Sequence, residues 1–105
     1  MTVLRTSTPK ARKPHACSIC TEPIEAGTVY HCQVVVGDDC VYSWRMHTHC
    51  RLLSNAAWDA DYCDTWEQSQ DREDVENWLL YEASEEQVRA VAGDAGVAVW
   101  RAVQP

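Results

Sequence analysis

Cys17-Ser-Ile-Cys20 and His47-Thr-His-Cys50 stand with twenty-six residues between them. Thiolate and imidazole are the donors a tetrahedral zinc ion prefers, and two ligands from one turn plus two from a second element close its coordination shell. The spacing predicts one structural Zn2+ held by Cys17, Cys20, His47 and Cys50. A ligand three positions before Cys50 lies on the same side of a helix start, which favours His47. His49, adjacent to Cys50, stays as the alternative.

A catalytic zinc would keep one position open for water, with Glu22 or Glu25 as the base. Four adequate donors make a closed, structural site the better reading, so neither an enzyme nor a small-molecule substrate is expected, and a small metalloenzyme is the weaker alternative. Cys32, Cys40 and Cys63, with His31, lack any close Cys-x-x-Cys pairing and read as small buried thiols. Six cysteines in a reducing compartment fit metal binding plus core thiols better than three disulfides.

The donors need elements to carry them. Cys17 to Cys20 reads as a knuckle, with Pro23 and Gly27 marking turns. Thr28 to Val36 and Cys40 to Met46 are β-branched and aromatic, and Gly37-Asp38-Asp39 between them is a turn, which together predict a hairpin. A helix should start near His47 and Cys50, with Thr48 as its cap, and run to about Trp58. Asp71 to Glu82 places Val75, Trp78 and Leu79 at helical spacing. Ser84-Glu85-Glu86-Gln87 is a capping-box pattern and Gly93 a helix stop, so a second short helix is expected. Val97 to Val103 alternates and reads as a strand, with continuation of the helix through this Ala-rich stretch as the alternative. The fold class is α+β: a small zinc-stabilised treble-clef-like module with an acidic, mainly helical C-terminal extension. Three segments follow, a flexible basic arm over 1–14, the zinc module over 15–58 and the acidic extension over 59–105.

Net charge is −7, unevenly spread. Residues 1–54 carry six Lys or Arg against four acids, whereas residues 55–105 carry three Arg against twelve acids. Trp58 and Trp66, set among Asp59, Asp61, Asp64 and Glu67, make an aromatic surface with an acidic rim that would suit a protein partner. Lys10, Arg12, Lys13 and Arg45 are the candidate nucleic-acid contacts. Residues 1–14 lack the apolar run of a secretory signal, and no stretch reaches the roughly eighteen apolar residues of a membrane span. The expectation is a cytoplasmic protein with no membrane partner.

The run Cys17-x-x-Cys20, Pro23-Ile24, Gly27, Tyr30, Asp38-Asp39, Trp44 and His47-x-x-Cys50 resembles the zinc fingers of poly(ADP-ribose) polymerases and DNA ligases. Over the whole chain the closer likeness is to small zinc proteins of bacteria and phages. The resemblance covers residues 15–53 and implies the same four ligands. It also implies binding to DNA ends, which in those fingers relies on basic residues along the strands; this hairpin offers only Arg45 and His31. The reading that follows is a non-enzymatic zinc-binding interaction module, phage-encoded and host-directed, that engages a protein through its acidic, tryptophan-bearing half. Nucleic-acid binding through the finger and basic arm is the alternative.

Overall fold

The computed structural model describes residues 2–36, 41–63 and 70–105, with the side chains of residues 2–4 excepted. Among the described residues the chain is α+β, with five strands in two small sheets and three helices. It divides into two units, residues 1–48 and 49–105.

In the first unit, β1 (Thr2–Ser7), β4 (His31–Val36) and β5 (Val41–Met46) form an antiparallel sheet in the order β1-β4-β5. The predicted hairpin is β4 and β5, in the register His31 opposite Met46, Cys32 opposite Arg45 and Val36 opposite Val41. Cys32, Val34 and Val36 therefore share a face with Arg45, Ser43 and Val41, as the alternation of side chains requires. The expected turn, Gly37-Asp38-Asp39 with Cys40, lies outside the described residues. β4 begins at His31, later than the run from Thr28 suggests, because Val29 pairs instead with Lys10 in an isolated bridge.

The arm expected over 1–14 is corrected by this sheet. β1 pairs with β4 from Thr2 opposite Val36 to Ser7 opposite Cys32, with an irregularity between Val3 and Arg5. The segment after it is fastened too: Tyr30 N–H donates to Pro9 O (3.0 Å), Ala11 N–H to Thr28 O (2.9 Å) and Gly27 N–H to Ala11 O (2.8 Å). Low apolar content suggested disorder, but the β-branched Thr2, Val3 and Thr6 suit an edge strand whose stability comes from its ladder. β2 (His15–Ala16) and β3 (Pro23–Ile24) form the second, two-stranded sheet, His15 opposite Ile24 and Ala16 opposite Pro23.

In the second unit, α1 (Thr48–Asp59) is followed by α2 (Arg72–Tyr81) and α3 (Glu85–Val103). α1 starts at Thr48 itself, so His47 takes the position before the helix. Both later helices carry reciprocal capping boxes, Asp71 with Asp74 and Ser84 with Gln87, which satisfy N–H groups that the first helical turn leaves unpaired. Gln70 pins the segment after α1, its Nε2 donating to Ser54 O and Tyr62 O (both 3.1 Å) while its Oε1 accepts from Ser54 Oγ.

Val97 to Val103 is helical, which corrects the predicted strand. Alternation there mimics a strand, yet Ala-rich sequence with Trp100 is equally content in a helix held by packing. The stop at Gly93 is real: its φ of 68° and ψ of −164° interrupt α3. The chain turns back there, because Arg101 Nη2 reaches Glu85 Oε1 at 2.6 Å and Trp100 Nε1 donates to Ala83 O at 3.1 Å. A straight helix with a rise of about 1.5 Å per residue would hold those partners roughly 24 Å apart. α3 is thus two helical segments folded against each other, and a methyl at Gly96 would collide with Ala92 Cβ. Val75, Trp78, Leu79, Val88 and Val97 are buried in this unit. Among the described residues no helix is long and apolar enough to cross a membrane.

Candidate metal centre

The knuckle is set by backbone. Thr21 N–H donates to Cys17 O and Cys17 N–H to Glu22 O, both at 3.1 Å, with Thr21 in the left-handed region at φ 66° to complete the turn. The pairing of β2 with β3 closes it. Ser18 then joins it to β5: Ser18 N–H donates to Arg45 O at 2.7 Å and Ser18 Oγ accepts from Arg45 N–H at 3.3 Å. The tip carrying Cys17 and Cys20 is therefore held next to the end of β5, from which His47 follows. Cys50 sits in the first turn of α1.

These steps bring the donor atoms of Cys17, Cys20, His47 and Cys50 within 4.8 Å of one another. A tetrahedral zinc with bonds of about 2.0 to 2.3 Å separates its donors by about 3.6 to 3.8 Å, so the cluster lies close enough to hold one metal ion, consistent with zinc. Cys20 Sγ and His47 Nδ1 stand 3.3 Å apart. His47 Nε2 lies 3.1 Å from Pro23 O, an acceptor that calls for the proton on Nε2 and leaves the Nδ1 lone pair facing the sulfurs. Cys17 and Cys50 are buried, 2% and 0% exposed, while Cys20 and His47 are partly exposed. His49, half-buried on α1, is not part of the cluster, so the alternative ligand gives way to His47. Successive helical residues point about 100° apart, which keeps His49 and Cys50 from converging on one ion.

Other candidates are placed as follows. Cys32 is buried on β4 and Cys63 half-buried beyond α1, neither in the donor cluster; Cys40 lies outside the described residues. Trp58 is 40% exposed at the end of α1, with Asp59 and Asp61 exposed beside it. Asp64, Trp66 and Glu67 lie outside the described residues. Trp78 is buried, and Trp44 and Trp100 are half-buried.

Lys10, Arg12 and Lys13 are exposed, on a segment whose Pro9 and Ala11 are hydrogen-bonded to residues 27, 28 and 30. Arg45 differs from a surface phosphate contact: its side chain is half-buried and its Nε, fully covered, makes no hydrogen bond among the described residues. The pKa of His15, whose ring lies tilted 5.5 Å from that of Tyr30, is lowered by burial first and then by Arg45 and Lys13.

Sequence reasoning found the four donors but missed the Pro23 carbonyl, the Ser18 brace and the Gln70 pin. Backbone acceptors leave no mark in a sequence. No family model, no curated protein and no solved structure matches the chain. What stands of the resemblance to the polymerase and ligase fingers is the ligand set, a Cys3His cluster compatible with zinc.

Proposed function

We propose that this chain is a non-enzymatic interaction module whose first unit is stabilised by one structural zinc, and that it engages a protein partner through the acidic, aromatic surface of its second unit. The observation that carries the metal reading is the convergence of four donors with the imidazole oriented by Pro23 O. Zinc, which has no redox chemistry of its own, would supply a cross-link there; Cys17, Cys20, His47 and Cys50 hold it and the Pro23 carbonyl orients the ring. The partner reading is supported by Trp58, beside Asp59 and Asp61, and by Leu80 and Tyr81, which is 75% exposed, on α2 with its Glu73, Asp74 and Glu76. Exposed aromatics among carboxylates suit a partner with apolar pockets and a basic rim. The test is native mass spectrometry of the purified chain, expected to give one zinc, followed by cross-linking in lysate of its native host. A partner lost in Trp58→Ala and Tyr81→Ala supports the reading, and cross-links unaffected by both overturn the assigned surface.

Nucleic-acid binding is the second reading, favoured by Arg5 lying in β1, by the bridge of Lys10 to Val29 and by Arg12 following Ala11, which is hydrogen-bonded to Thr28 and Gly27. Fixed cations lose less entropy on meeting phosphates than cations on a loose tail. Removing residues 1–14 would delete a strand, so the informative variant is Lys10→Ala/Arg12→Ala/Lys13→Ala. Low-salt mobility shifts on blunt and nicked DNA that disappear in this variant would favour the second reading over the first.

A further inference from the structure

The four donors are unequally covered. Cys17 and Cys50 are buried, while Cys20 and His47 are partly exposed, so Cys20 is the one cysteine of the cluster that is not buried. Resting on the zinc reading above, we propose that the centre is a peroxide-sensitive clip, with Cys20 as the point of attack and Cys17 as the resolving thiol.

The chemistry follows from the neighbours. Cys20 Sγ, 3.3 Å from His47 Nδ1, attacks one oxygen of hydrogen peroxide; the O–O bond breaks, hydroxide leaves and is protonated, and Cys20 becomes a sulfenic acid. Cys17 Sγ, within 4.8 Å and on the same turn, then attacks that sulfur and displaces its hydroxyl group as a second water. Two thiolates, one peroxide and two protons give one disulfide and two waters. The peroxide takes both electrons, and only His47 and Cys50 remain as ligands. Two ligands do not retain zinc against solvent, so the ion is released and the knuckle loses its cross-link. Burial of Cys17 and Cys50 fixes the order, because solvent-borne peroxide meets Cys20 before either of them.

The experiment uses the full zinc-loaded chain treated with hydrogen peroxide, with zinc release followed by a chromogenic chelator and sulfenic acid trapped by dimedone for peptide mapping. Expected are dimedone on Cys20 at early times, a Cys17–Cys20 disulfide without dimedone, and one zinc lost per disulfide. Cys63→Ser should leave the release rate unchanged. Early adducts on Cys17 or Cys50, or oxidation at Cys63 with zinc retained, would overturn the inference while leaving the zinc reading intact. A chain that neither carries nor takes up zinc before peroxide is added overturns both.

Discussion

His47 and Pro23 meet through a side chain and a backbone carbonyl: Nε2 of the imidazole lies 3.1 Å from Pro23 O, which turns Nδ1 toward Cys20 Sγ. A ligand oriented by a fixed carbonyl loses little freedom on binding metal. His47→Ala should weaken zinc by more than about 10-fold, the lower end of what disturbing such an orienting partner costs, whereas His49→Ala should leave the affinity within error. Competition with a calibrated chelator measures both, and Co2+ spectra of the two variants check the ligand set.

Removing the metal should undo the first unit. Structural zinc sites contribute on the order of 10 to 16 kcal/mol of apparent binding energy at neutral pH, more than a unit of this size gains from its core. Treatment with a strong chelator, or Cys17→Ser, is expected to abolish the chemical-shift dispersion of residues in β2 to β5. A dispersed spectrum without zinc would remove the metal from its structural role.

Gly93 holds the turn within α3. Its φ of 68° with ψ of −164° is a conformation essentially closed to residues with a Cβ, although nothing lies within 4 Å of where that atom would stand. Gly93→Ala should therefore destabilise through the backbone alone, by about 1 to 3 kcal/mol, seen as a shift in the denaturant midpoint with an unchanged slope.

Glu85 accepts from both Arg101 (2.6 Å) and Arg89 (3.2 Å), and the Arg101 hydrogen bond is the main reason its pKa is lowered. A carboxylate depressed on folding contributes stability above its unfolded pKa and loses it as pH falls through the folded value. Glu85→Gln should lower the melting temperature at neutral pH, and the gap from wild type should close below about pH 4. Paired thermal melts across that range check it, since acid release of metal is common to both chains.

Gln70 satisfies three polar groups at once, including the hydroxyl of buried Ser54. Gln70→Ala leaves buried Ser54 without this partner and should cost about 1 to 3 kcal/mol. Urea denaturation monitored by tryptophan fluorescence measures the loss.

The ligand pairs, the hairpin and the Ser84–Gln87 capping box were legible because each depends on residue types at short, fixed spacing. β1 was not, since its pairing with β4 is a long-range contact that no short, fixed spacing announces. Val97 to Val103 misled because an alternating apolar pattern over so few residues fits either period, and the fold-back at Gly93 decided it. The hairpin was legible, but neither the register that sets Arg45 opposite Cys32 nor the burial of Arg45 Nε was. Local rules count residues along the chain, and covering a guanidinium depends on what arrives from elsewhere.

Order of synthesis gives the first strand a particular history. β1 emerges from the ribosome before its partner β4, and between them lies the whole knuckle, whose β2 and β3 pair over a much shorter loop. Closing a short loop precedes closing a long one, so the sulfur-bearing turn should form while β1 is still waiting. The N-terminal segment would then behave as the last piece fitted to the sheet, and the nascent chain would expose β4 on that edge until it docks.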